Sequence, residues 1–297
     1  MGKTKKNIKS FALLGASGYV AKKHVGVLKD LKENLVLAYD KHNNCGYLDS
    51  FFPQSYFAKN ENDFFDLVKK KGISYVIVCT PNYLHFSHIK KSLLCGANVI
   101  CEKPTVLNLK ELQKINKIQK DTKKNCFSIF QLRYNENISK LKIKVSKIKK
   151  NKNNIFNLKY VTYRGSWYEA SWKNNLKLSG GLIMNIGVHF VDILTFLFGE
   201  IKKINFFKKN KKTLKGTIIF MNTKVNFLLS IEKKYLEKTH KPIRNLTFNK
   251  FKVNLTEHFE NLHLKCYKEI LNGRGISINK LLRTYENLKV IQNEIKK

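Results

Sequence analysis

The chain has very little arginine. Five of its 297 residues are arginines (Arg133, Arg164, Arg244, Arg274 and Arg283) against 52 lysines, under a formal net charge of +36. Proteins that read nucleic acid concentrate their charge and use the guanidinium fork on bases and phosphates. Here the lysines are dispersed through nearly every segment, often beside asparagine, which reads as a compositional bias on solvated faces. Nucleic acid is therefore not an expected partner. Long apolar runs are also missing: the most apolar one, Phe190 to Phe198, is short and carries Asp192, below the roughly 18 uncharged residues of a membrane span. No membrane partner is expected. Paired cysteines are lacking too, since Cys45, Cys79, Cys95, Cys101, Cys126 and Cys266 form no CxxC motif and have no histidine at metal-ligand spacing. They read as reduced core thiols of a cytoplasmic protein without a metal centre. The basic start followed by an apolar stretch looks like a signal peptide, but glycines interrupt it within a few residues. Lys6 stands where myristoylation requires Ser or Thr.

What is present is enough for a large core, with 43% hydrophobic residues. The first part alternates short apolar strands with helical patterns. Strands are expected at Phe11–Leu14, Leu35–Tyr39, Tyr75–Cys79 and Asn98–Cys101, and helices near Glu61–Lys71, His85–Cys95 and Leu109–Lys124. That alternation implies an α/β fold, with a doubly wound parallel sheet of Rossmann type in residues 1–130 and ligands beyond the carboxyl ends of the strands. From about residue 155 the pattern changes to long alternating strands, at Phe156–Tyr163, Ile201–Lys208, Leu214–Met221, Lys224–Glu232 and Asn245–Asn254. Helical patterns at Gly187–Phe198, His258–Leu271 and Ile278–Lys297 accompany them. Residues 131–297 are thus expected to form an α+β domain with a large, open, mostly antiparallel sheet. The lysine-rich segment Lys140–Asn154 reads as a connection with helical spacing.

Three motifs fall at strand ends. The first, GASGYVA, runs from Gly15 to Ala21 and holds Ser17, Gly18, Tyr19 and Val20 between a strand and a helix. Glycines there admit a pyrophosphate to a helix N-terminus, although Ala16 replaces the first glycine of the usual pattern, and a plain tight turn reads the same way. Asp40, ending the second strand, suits a ribose 2′-hydroxyl and repels a 2′-phosphate, which favours NAD over NADP. The second motif is Thr80-Pro81-Asn82 followed by His85, which is also an ordinary strand terminator; His85 faces either a cofactor or solvent. The third is Glu102-Lys103-Pro104, whose acid, base and proline have no use inside a packed strand.

Taken together, these residues resemble the Gfo/Idh/MocA family of nicotinamide-dependent oxidoreductases. The resemblance continues through Gly180-Gly181, Asn185, Gly187, His189 and Asp192 and covers nearly the whole chain. PQSYF (Pro53–Phe57), FQLRYN (Phe130–Asn135), TYRGSWYEASWK (Thr162–Lys173) and NIGVHFVDIL (Asn185–Leu194) are similar to the bacterial members that oxidise the 3-hydroxyl of UDP-N-acetyl-glucosaminuronic acid on the way to O-antigen sugars of lipopolysaccharide. The resemblance implies that Lys103 reaches the hydroxyl being oxidised and that a cis Pro104 aims it. It implies that Glu102, Gln131 and Trp172 lie at the NAD site with the strand-end motifs. It also implies that Gln131, Arg133, Arg164, Trp167, Tyr168, Asn185 and His189 contact a UDP-sugar uronic acid. A homodimer or homotetramer paired through the open sheet is implied as well.

Two features qualify this picture. The family often has an acid where Asn185 stands, and an amide accepts no proton. The base is then His189 or Lys103, with His189 the better acceptor at neutral pH and Asp192, three residues on, placed to orient it. With lysine so abundant, Arg133 and Arg164 mark sites that need a planar fork, either for a substrate carboxylate or pyrophosphate or for structural ion pairs. Trp167, Tyr168 and Trp172 either stack on a ring or pack a cleft wall. Competing functions are a family member acting on another sugar or polyol, a cofactor-binding regulator without turnover, and a basic nucleic-acid binder.

Overall fold

Phe11, Ala12, Leu13 and Leu14 are each at most 1% exposed, the two-sided burial that a central parallel strand between helical layers requires. They form most of β1 (Ser10–Leu14) in a computed structural model that describes residues 8–147, 154–237, 241–248, 251–255, 257 and 261–297. The chain divides into two compact units. The first comprises residues up to Val106, Glu111–Ile129 and Tyr267–Asn279; the second comprises Leu107–Lys110, Phe130–Cys266 and Lys280–Lys297.

After β1 come α1 (Ala21–Asp30), β2 (Asn34–Tyr39), β3 (Tyr56–Phe57), α2 (Glu61–Lys70), β4 (Tyr75–Val78), α3 (His85–Leu94), β5 (Asn98–Cys101), α4 (Leu109–Thr122) and β6 (Cys126–Ser128). The strands form one sheet in the order β3-β2-β1-β4-β5-β6, with every pair parallel. The Rossmann sheet is as expected. Strands β3 and β6 were not foreseen, because two or three residues are too few to show a period. The first unit also takes in a late segment of the chain: Ser128 donates its amide to Ile276 O at 2.9 Å. Gly275 there has no room for a Cβ, which would meet Ile270 and Phe127 within 2.7 Å.

The second unit contains α5 (Glu136–Ser146), β7 (Asn154–Val161), α6 (Ser166–Ala170), α7 (Leu176–Ser179), a π-helical turn Ile183–Gly187 leading into α8 (Val188–Phe198), and then β8 (Lys203–Lys209), β9 (Thr213–Ile219), β10 (Thr223–Ser230), β11 (Ile243–Phe248) and β12 (Phe251–Asn254). The helices α9 (Leu262–Leu271) and α10 (Ile278–Lys296) end the chain. The sheet order is β12-β11-β7-β10-β9-β8; β7 and β10 pair in parallel and the other pairs are antiparallel. Alternate residues of β10 (Val225, Phe227, Leu229) are buried, and Phe190 of α8 stacks on Phe227 at 5.9 Å. The opposite face of the sheet exposes Ile155, Asn157 and Phe207. The helical run Leu176–Phe198 is long and apolar enough to cross a membrane, but 83% of its apolar window is buried inside the protein, as in a core helix.

One expectation needs correction, and two fall partly outside the described residues. The single strand expected over Asn245–Asn254 is an antiparallel hairpin with Phe248 opposite Phe251, residues 249 and 250 lying outside the described residues. The expected connection Lys140–Asn154 is helical as far as Ser146, with 148–153 outside the description. The helix expected from His258 is described from Leu262, and 258–260 lie outside the described residues.

Candidate active site

In the first unit, β1 ends at Gly15, whose φ of +91° favours glycine and whose Cβ would lie 2.6 Å from the backbone of Cys79 and Thr80. A Cβ on Gly18 would approach Cys79 O at 3.0 Å. The turn is thus pressed against the end of β4, and a side chain at Gly15 would push it away. Asp40 fixes the turn from β2: Oδ2 accepts the Ser17 amide at 2.9 Å and Oδ1 that of His42 at 2.8 Å. Tyr19 is 89% exposed and Val20 half-buried. The first turn of α1 has neither a side-chain cap nor an acidic residue, and although the Ala21 and Lys23 amides donate to Gly18 O and Val20 O, the positive end of the helix dipole there carries no opposing charge.

The two later strand-end motifs are joined by His85. Its Nδ1 lies 2.7 Å from Pro104 O and its Nε2 2.7 Å from Thr80 O. The ring is 1% exposed and so does not face solvent, as one expectation had it; it sits between the Thr80 and Pro104 carbonyls and, as a neutral imidazole, donates its single N–H to one of them. Burial lowers the His85 pKa from its ordinary value, against the two carbonyls, which raise it. Asn82 is buried, and Thr80 Oγ1 meets His88 Nδ1 at 2.9 Å. The Lys103-Pro104 bond is cis. Glu102 is buried, accepts the Lys103 amide at 3.2 Å and lies 3.0 Å from His24. Lys103 is half-buried at the mouth of β5.

In the second unit, Gly180 and Gly181 both adopt positive φ and open the run that carries Asn185 on the π-helical turn and His189 one turn later. π-Turns are a frequent device for aiming side chains at sites. Asn185 donates Nδ2–H to Tyr168 Oη at 2.9 Å; Tyr168 is buried, which raises its pKa. His189, also buried, packs edge-on to Phe130 at 6.2 Å. Gln131 is 6% exposed, and its buried Oε1 has no hydrogen-bond partner among the described residues, which leaves it open to a donor from water or a bound molecule. Asp192, expected to orient His189, has its carboxylate engaged by groups from other elements. It accepts from Arg133 through Nε at 2.8 Å and Nη2 at 2.6 Å, and from Thr284 Oγ1 at 3.0 Å. The Arg133 fork is therefore engaged inside the protein, which removes the main reason for assigning it a substrate carboxylate. Arg164 lines a cavity of about 280 Å³ with Tyr168, Glu169 and Lys212. Its guanidinium lies 6.0 Å from the ring of Trp167, which Lys173 also approaches at 4.9 Å; Lys173 is 5.8 Å from Trp172.

Residues 9–130 match the oxidoreductase family with an NAD-binding Rossmann fold, GFO_IDH_MocA, and residues 147–214 match its C-terminal alpha/beta domain. The chain belongs to the Gfo/Idh/MocA family. Among solved structures, the WlbA (WbpB) dehydrogenase of Thermus thermophilus, crystallised with NAD and UDP-GlcNAcA, is 28% identical with a TM-score of 0.90, covering 96% of this chain and 95% of that one. The WlbA dehydrogenase of Bordetella pertussis is 15% identical with a TM-score of 0.84, over 99% and 97% of the two chains, and attests the fold. Glucose-6-phosphate 3-dehydrogenase of Bacillus subtilis is 28% identical over 204 residues, 64% of this chain and 54% of the relative. The chain thus matches about half the length of that curated relative.

As a Gfo/Idh/MocA protein the chain binds NAD through its first unit, and the residues fit that cofactor. The glycine turn packed against the end of β4 and the start of α1, without a side-chain cap or an acid, suit a pyrophosphate, and Asp40, directly after β2, offers a carboxylate of the kind that accepts from a ribose hydroxyl. The residues that the sequence reading missed are His24, Tyr267 and Thr284. His24 was visible in principle, being a histidine on the apolar face that Ala21, Val25 and Leu28 define on α1. Tyr267 and Thr284 are distant in sequence, and only the fold brings them to Glu102 and Asp192.

Proposed function

We propose that the protein is an NAD-dependent nucleotide-sugar dehydrogenase that oxidises the 3-hydroxyl of UDP-N-acetyl-glucosaminuronic acid to a 3-keto sugar. The observation that carries this reading is the likeness, over nearly the full length of both chains, to the Thermus thermophilus enzyme crystallised with NAD and UDP-GlcNAcA, together with Lys103, Asn185 and His189 in the strand-end and helix-start positions described above. NAD, when bound, supplies the hydride acceptor. His189 takes the proton of the sugar hydroxyl as general base. The Lys103 ammonium stabilises the alkoxide as it develops. Asn185 and Tyr168, already hydrogen-bonded to each other, contact the sugar without exchanging its proton, and Gln131 turns its buried Oε1 to a donor of the ligand. With Arg133 engaged by Asp192, Arg164 takes the substrate carboxylate. The reading includes a cytoplasmic homodimer or homotetramer serving O-antigen sugar synthesis, which the open face of the second sheet supports.

The relative acting on glucose 6-phosphate favours a second reading, 3-oxidation of a phosphorylated hexose. Incubation with NAD and each of UDP-N-acetyl-glucosaminuronic acid, UDP-N-acetylglucosamine and glucose 6-phosphate, read by NADH absorbance and by mass spectrometry of the product, separates the two. The uronic acid is expected to react at least about tenfold faster than its carboxylate-free analogue, the loss of one charged hydrogen-bonded contact. Equal rates would sink the assignment of Arg164, and preference for glucose 6-phosphate would install the second reading.

A further inference from the structure

Glu102 lies at the end of β5, 6% exposed, beside Lys103. A buried carboxylate is tolerated only when its oxygens are held by donors. One oxygen, Oε2, accepts the backbone amide of Lys103 at 3.2 Å; the other, Oε1, lies 3.0 Å from Nε2 of His24. A carboxylate only accepts, so Nε2 carries the proton of this contact. The opposite nitrogen of His24, Nδ1, lies 2.7 Å from Tyr267 Oη, and the two rings meet edge-on at 5.7 Å. His24 and Tyr267 are both fully buried, so no solvent competes for these bonds.

We propose that His24 and Tyr267 are positioning residues for Lys103, acting through the carboxylate of Glu102. Tyr267 holds the imidazole, the imidazole holds the carboxylate in one orientation, and the carboxylate holds the peptide from which the lysine side chain departs. The chain of bonds also fixes a register. His24 belongs to the first turn of α1, the helix whose start receives the cofactor pyrophosphate, so the bonds tie the Lys103 peptide to the element that seats the nicotinamide nucleotide. Displacement of a reacting group by about 1 Å lowers a rate by about 100-fold, and a lysine on four single bonds needs its root fixed to avoid that loss. The inference rests on the proposed role of Lys103 in stabilising the alkoxide.

The test uses the full-length protein with His24→Leu, His24→Gln and Tyr267→Phe. Two quantities are measured: hydrogen exchange at the Lys103 amide by NMR, and kcat beside KM for the UDP-sugar and Kd for NAD. His24→Leu should speed Lys103 exchange about tenfold as its acceptor loses orientation and lower kcat about 10- to 100-fold, with KM and Kd within about threefold. His24→Gln, whose side-chain amide can donate to Glu102 as Nε2–H does, should recover most of both. Tyr267→Phe, which removes one hydroxyl and keeps the ring, should move both in the same direction by less. Where His24→Leu fails to fold, Tyr267→Phe decides alone. Unchanged exchange at Lys103, an unchanged kcat, or a fall in NAD affinity that matches the fall in kcat and is not rescued by glutamine would overturn the proposal. Inactivity of the wild type on every sugar tried would remove the functional reading instead, and exchange at Lys103 would then decide the positioning role by itself.

Discussion

An ammonium and an imidazole do different work beside a reacting hydroxyl. Lys103 belongs to the first unit and His189 to the second, and each can be removed without deleting the other's chemistry. Loss of a general base or of an oxyanion partner slows a reaction by about 10²- to 10⁴-fold, so His189→Asn and Lys103→Met should both be slow. They should differ in their pH profiles. Lys103→Met should keep a limb of kcat that rises with pH as the base loses its proton, and His189→Asn should flatten it. The opposite pattern, measured by stopped-flow NADH absorbance, would make Lys103 the base and His189 a substrate contact. The residue at this scale that sequence pattern read least well is Asp192: three residues from His189, it looked like an orienting partner, but its carboxylate is taken by a guanidinium 59 residues away.

Between elements, the pair Arg133–Asp192 is a buried, two-pronged ion pair of the second unit. It links the short 3₁₀ turn Gln131–Tyr134 to α8, and Thr284 adds α10. The two side chains are 12% and 1% exposed, so removal of one strands the other's charge in the interior. Arg133→Met should destabilise the protein by about 3–5 kcal/mol, and the double variant Arg133→Met/Asp192→Leu should regain much of it; urea unfolding of the four proteins gives the cycle. A single variant as stable as the wild type would show that water reaches Asp192. Elements were legible in the sequence where a period ran over enough residues. The strand Asn98–Cys101 was read with its observed bounds, and α2 and α3 to within a residue, because apolar periodicity over four to ten residues is set by burial in the sheet and its helical layers. The two-residue β3 and the reversal after Phe248 were not legible, since pairing there depends on neighbours far along the chain. The strand-end motifs were legible as sites because glycine, proline and charge at a strand end have few structural uses; the contacts behind them, His24 with Glu102 and His85 with Pro104, depend on the fold.

For the molecule as a whole, the buried histidines limit how much acid the fold withstands. His88, 1% exposed, lies 3.4 Å from Glu61 Oε2, and burial pushes its pKa down to about 4 in spite of that carboxylate. The unfolded chain takes up this proton near pH 6.5, and the folded chain only near pH 4. Stability is therefore complete above about pH 6.5 and falls as the pH drops toward 4, by on the order of 3 kcal/mol from this group. Thermal melts from pH 8 to 4.5 should show the decline, and His88→Asn should make it shallower; a slope unaltered by the variant would assign the decline to other groups. The first unit has a further property as a whole. Its sheet pairs with residue 276 and its core encloses Tyr267, which packs 6.4 Å from Phe11 and is fully buried. A ribosome delivers residues 1–130 and then continues through the entire second sheet before it supplies the segment that finishes the first. At about 5–20 residues per second, the strands and helices of the NAD-binding unit exist for on the order of ten seconds with Phe11 and His24 uncovered. The nascent chain therefore has a predictable period of vulnerability, in which this face is open to chaperones and to aggregation, and the period closes as the ribosome reaches α10.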